Sequence, residues 1–137
     1  MFQNILIAAY VLIFLTFLVS FLHAYLSVKL TGPNQKWAKG IPLMPYPDAP
    51  ENLKLVKNNI QNLFEFPVIF YVLCTFCFIQ GIQDQLLIVL SWSYVLLRLV
   101  HSYLHIFSQN TLLRGHAFIA SNLVLFVMLL ILLRSTH

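Results

Sequence analysis

The feature that most restricts what this chain can fold into is a series of apolar runs too long for a soluble core. From Ile5 to Val28 there is no Asp, Glu, Lys or Arg. At about 1.5 Å per helical residue, such a run crosses a hydrocarbon layer of about 30 Å. Three more follow, so that transmembrane helices are expected over about 4–30, 53–80, 85–107 and 111–134. Only 9% of residues are charged, against roughly a quarter in soluble domains, which makes lipid the relevant solvent. Four spans use most of the 137 residues and leave room for one domain, an all-α, antiparallel bundle of four transmembrane helices. The first run lacks a basic leader and exceeds the roughly 7–15 apolar residues of a signal peptide, so it is expected to remain as a helix. A net charge of +4, scattered among apolar runs, gives no nucleic-acid footprint.

Residues 31–52 hold five of the six prolines and cannot form one helix. That long loop exceeds the usual connection of about 2–8 residues in bundles, and its Trp37 and Tyr46 suit headgroup-level anchors. Pro50 and Glu51 fit a first helical turn, and Pro67 predicts a kink in the second span. Asp84 can cap the third span, and Asn110 or Thr111 the fourth. Turns this short require antiparallel neighbours. Lys29, Lys36, Lys39, Lys54, Lys57 and Arg114 flank the first and third loops, whereas Arg134 stands alone at the other end. The long loop is therefore expected in the cytoplasm and both termini opposite. Cys74 and Cys77 form a C-x-x-C within an apolar run, which points to packing.

Ionisable groups inside a span are expensive, about 2.5–3.5 kcal/mol each on insertion scales, so each needs a partner or a purpose. In the second span Asn58, Asn62 and Glu65 fall at i, i+4 and i+7, on one helix face. In the third, Arg98, His101 and His105 fall at i, i+3 and i+7. Counting from the turn between these spans, Glu65 lies about 24 Å deep, and Arg98 and His101 about 20 and 24 Å. All share a level toward the long-loop side, with Arg114 reaching toward it. One reading is structural, a Glu65–Arg98 ion pair with Asn62 and His101 as interhelical hydrogen-bond glue. The other is a polar ligand site within the bundle or between subunits, which also accounts for Asn58, His105 and Arg114. His101 and His105 have the i, i+4 spacing of two zinc ligands, but the pair lacks the Glu of H-E-x-x-H, and Glu65 is the nearest third ligand. A proton relay or small transporter lacks the inverted repeat of broken helices.

Two motifs add a resemblance. Asn62-Leu-Phe-Glu65-Phe-Pro67 resembles the helix-two motif of the membrane-associated proteins in eicosanoid and glutathione metabolism, the MAPEG family. Arg98-Leu-Val-His101, with Arg114 thirteen residues later, is similar to the helix-three and helix-four pattern of its prostaglandin E synthase branch. Phe64–Tyr71 and Leu97–Ser102 look most like a bacterial branch. The resemblance spans all four helices and implies a homotrimer in a bacterial inner membrane, with glutathione bound between subunits near the cytoplasmic end. It implies that Arg114 stabilises the thiolate, that Asn62, Glu65, His101 and His105 hold the peptide, and that Arg98 binds a carboxylate or orients Glu65. The implied activity is a glutathione-dependent transferase or peroxidase acting on small apolar electrophiles from the membrane lipid. The sequence departs from the family pattern at Asn58, where an arginine is common, at His105, where a tyrosine is common, and at Gly115 and Phe118, where the prostaglandin branch has serine and tyrosine. These departures support the alternative of a non-enzymatic protein of the same fold that binds lipid or a partner.

Overall fold

The computed structural model describes residues 2–30, 49–82, 84–108 and 110–135, and the regular structure among them is entirely helical. In chain order the helices are α1 (Phe2–Leu30), α2 (Glu51–Phe64), α3 (Phe66–Ile79), α4 (Gln85–Phe107) and α5 (Thr111–Ser135). By length and composition they make four membrane spans, α2 and α3 together forming the second. Lys36, Lys39, Trp37, Tyr46 and most of the long proline-rich segment lie outside the described residues.

Apolar stripes decide which faces meet lipid. On α1, Tyr10, Phe14, Phe17, Phe21, Tyr25 and Val28 are all exposed, at steps of three and four that trace one side of the helix. On α5, Ile119, Leu123, Phe126, Leu130 and Leu133 do the same. Several hydroxyls in the spans are satisfied by their own helix: Thr16 donates to the Leu12 carbonyl at 3.0 Å, Ser20 to Thr16 at 2.8 Å and Thr75 to Tyr71 at 2.8 Å. This i−4 bonding lets Ser and Thr sit in hydrocarbon without a tertiary partner.

The second span does not bend smoothly. It breaks at Glu65, whose φ of −90° and ψ of −92° are not helical. Pro67 has no N–H to return to Leu63, and its ring opposes the carbonyl four residues back. The interruption therefore falls two residues ahead of the proline rather than at it, and Pro67 is received into the first turn of α3, where a missing N–H does no harm. At its other end α3 closes in a Schellman turn: Gly81 has φ of 69°, its N–H donates to Phe78 at 3.3 Å, and Ile82 donates to Cys77 at 3.0 Å. Asp84 caps α4 by accepting from Leu86 N–H at 2.7 Å, and Asn110 caps α5 by accepting from Leu113 N–H at 3.0 Å.

Around the bundle α1 packs on α2, α3 and α4, while α5 packs on α3 and α4, leaving α1 and α5 diagonal. The apolar core joins Leu12, Leu63, Phe70, Leu73, Tyr94 and Met128, with the Phe70 and Tyr94 rings 4.6 Å apart. Cys74 and Cys77 are buried free thiols within it.

Candidate functional site

Helix α4 carries the polar residues that organise one end of the bundle. Arg98, His101, Ser102 and His105 are all buried, and three of them tie α4 to neighbouring helices. Arg98 donates through Nη2 to the backbone carbonyl of Asn62 on α2. Ser102 Oγ donates to Oδ1 of Asn59, also on α2, at 3.2 Å. His101 Nδ1 lies 3.1 Å from the carbonyl of Arg114 on α5. A carbonyl only accepts, so Nδ1 carries the proton, and a neutral ring then presents a lone pair at Nε2. That Nε2 and His105 Nδ1 are both buried, with no partner among the described residues.

His101 and His105 border a cleft of about 280 Å³, also lined by Asn62, Thr111, Arg114, Gly115 and Phe118. Phe118 forms an apolar wall, edge-to-face with Phe66 at 5.4 Å and 5.5 Å from the His101 ring. An added Cβ at Gly115 would meet nothing within 4 Å, so its face of α5 opens into space. Among the described residues no Asp or Glu lines the cleft. Arg114 instead sits in the first turns of α5, where the helix dipole already presents positive charge and disfavours a cation. The described lining is thus polar along Asn62, His101, His105, Thr111 and Arg114, with a cation and no carboxylate among them, and apolar at Phe118.

The structure gathers four residues singled out from the sequence into this cleft: Asn62, His101, His105 and Arg114. It separates the others. Glu65 is exposed at the helix break and accepts from Gln61 Nε2 at 3.1 Å. Arg98 is completely buried, and its interhelical partner is the Asn62 carbonyl rather than Glu65. Asn58 is exposed on α2, one turn before Asn62, and is not among the residues lining the cleft. Among the described residues no three of His, Cys, Asp and Glu converge as a metal set. Sequence reasoning passed over Asn59 and Ser102. The signal lay in the buried stripe of α2, since Asn59 falls in register with Leu53, Val56 and Leu63.

A family model described as "MAPEG family" matches residues 5–134. No curated protein and no solved structure matches the chain.

Proposed function

Because this chain belongs to the MAPEG family, whose model covers nearly all of it, we propose that it is a glutathione-dependent transferase or peroxidase acting on apolar electrophiles drawn from the bilayer. The supporting observation is a cleft holding Arg114, His101, His105 and Asn62, with no Asp or Glu among its described lining residues, beside helix faces that meet lipid. The donor set suits glutathione, whose two carboxylates and thiol favour a cationic pocket. Bound there, glutathione would supply the nucleophilic sulfur. Arg114 would favour the thiolate over the thiol, raising the reactive fraction near neutral pH. The Asn62 amide offers both donor and acceptor.

The cleft is slightly smaller than the roughly 300–1,000 Å³ of typical small-molecule sites. The reading therefore includes a second copy that completes it, within a homotrimer. Asn58, Gln61 and Glu65 support this, because all three are exposed along one side of α2, a face that hydrocarbon covers poorly. It also places the long loop in the cytoplasm of a bacterial inner membrane, following the basic residues.

Calorimetry with glutathione and thiol consumption with a generic electrophile, both in nanodiscs, test the reading. Arg114→Ala should weaken binding about 10–100-fold, the worth of a charge-assisted hydrogen bond of about 1.5–3 kcal/mol, and abolish turnover. Wild-type protein that binds no glutathione in either detergent or nanodiscs would overturn it. A second reading, non-enzymatic lipid binding, draws on a groove of about 310 Å³ between α1 and the broken span, lined by Ile13, Phe17, Leu63, Phe64, Val68 and Tyr71. In that case a lipid should co-purify in the groove, and Arg114→Ala should alter stability with no turnover to lose.

A further inference from the structure

Among the described residues Arg98 is the largest fully buried side chain, yet it is not among the residues lining the cleft. A guanidinium in a bundle core ordinarily needs a carboxylate, and Glu65, the carboxylate nearest in sequence depth, attracts it only through space while accepting a hydrogen bond from Gln61. Two other sources of negative potential serve. Helix α2 ends at Phe64, so the carbonyls of its last turn lack the donors that a continuous helix would supply. The dipole of α2 adds negative potential at the same place. Arg98 Nη2 takes the Asn62 carbonyl of that turn, and the guanidinium carbon stands 5.7 Å from the centroid of Phe118, within cation–π range. Nε and Nη1 have no acceptor among the described residues.

We infer that Arg98 is a positioning residue, which caps the broken end of α2 from behind the cleft and thereby sets Asn62 and Phe118, two of its walls, without touching the ligand. The inference deepens the glutathione reading and rests on it for its binding consequences. The break and the arginine depend on each other: a continuous helix would consume the Asn62 carbonyl, and without a cation the freed carbonyl would lie unsatisfied in a low-dielectric interior. Asn62 enters the cleft at the last turn of α2, where unwinding would move it most.

The test combines amide exchange of ligand-free protein with glutathione calorimetry. In Arg98→Met, amides of residues 60–70 should exchange at least tenfold faster, while those of residues 85–95, at the other end of α4, keep their wild-type rate. Arg98→Lys retains a charge and a donor for the Asn62 carbonyl, so both its exchange and its glutathione Kd should stay within about threefold of wild type. It also carries the test if Arg98→Met does not fold. The Kd penalty of Arg98→Met should shrink by at least half in an Asn62→Ala background, a coupling that a general loss of stability would not produce. It should be equal for glutathione, its glycyl monoethyl ester and the analogue lacking the γ-glutamyl α-carboxylate. A penalty that vanishes with one of these analogues, or a loss of 30-fold or more in Arg98→Lys, would show a carboxylate clamp and overturn the inference. Unchanged exchange in Arg98→Met would overturn it too. If the wild type binds no glutathione, the functional reading fails, and the exchange data still decide whether Arg98 holds the break.

Discussion

At Gly115 the helix gives up stability for space. Glycine inside a helix is less favourable than alanine by about 0.5–1 kcal/mol, and nothing within 4 Å prevents a Cβ there. Gly115→Ala should therefore stabilise the protein by about that amount in thermal unfolding. Gly115→Leu should fold equally well but fill the cleft, weakening glutathione binding at least tenfold by calorimetry. Equal binding in Gly115→Leu would place the ligand elsewhere. The Asn59–Ser102 pair makes a separate residue-scale prediction. Both side chains are buried, and a double-mutant cycle of Asn59→Ala and Ser102→Ala, read by denaturant unfolding in detergent, should give a coupling of about 0.5–1.5 kcal/mol, the range of interhelical hydrogen bonds in membranes. A coupling near zero would mean that the 3.2 Å contact contributes nothing. Chemistry-bearing residues were legible because charge is expensive in lipid, which made Arg98, His101 and Arg114 conspicuous. Asn59 and Ser102 were not, since uncharged groups within apolar stripes carry no such flag, and their pairing depends on the rotation of α2 against α4.

At the scale of elements, the span positions followed from hydrophobic length and the caps from Asp84 and Asn110, because each depends on local sequence alone. The site of the break did not. Pro67 announces a defect, but its location depends on which carbonyls can find other partners, and the partner here is on α4, 36 residues away in sequence. That dependence gives a prediction. Pro67→Ala restores a donor for the Leu63 carbonyl and lets α2 run into α3. If the break persists only because the proline forbids closure, the variant should gain helical signal in circular dichroism and should weaken glutathione binding by rotating Asn62 away from Thr111 and Gly115. If the Arg98–Asn62 contact is enough to hold it open, helical content should be unchanged and affinity should stay within about twofold. The same contact explains why Arg98 hydrogen-bonds to Asn62, while Glu65 acts on it only through space. At the break the backbone turns Glu65 outward, and the arginine takes the carbonyl that the break frees.

For the whole molecule, the exposed faces of α1 and α2 demand different surroundings. The α1 stripe of Tyr10, Phe14, Phe17 and Phe21 is wholly apolar or aromatic and is stable in lipid. The α2 strip of Asn58, Gln61 and Glu65 is not, because an ionisable group facing hydrocarbon costs about 2.5–3.5 kcal/mol even on lenient scales. Glu65 lies about 24 Å from the Gly81 turn, which keeps it inside a 30 Å core. A second copy seated on this strip would remove the mismatch and close the open side of the cleft in the same step, so assembly and ligand binding should stand or fall together. Native mass spectrometry in detergent should then show three chains for the wild type. Gln61→Trp, which adds bulk where copies meet, should shift the population toward single chains and weaken glutathione binding in parallel. Phe14→Trp, of similar bulk on the lipid-facing stripe, should leave both unchanged. A wild type that is monomeric, or a Gln61→Trp variant that remains trimeric with full affinity, would require another cover for the strip. The polar strip and the undersized cleft would then need separate explanations rather than one shared interface.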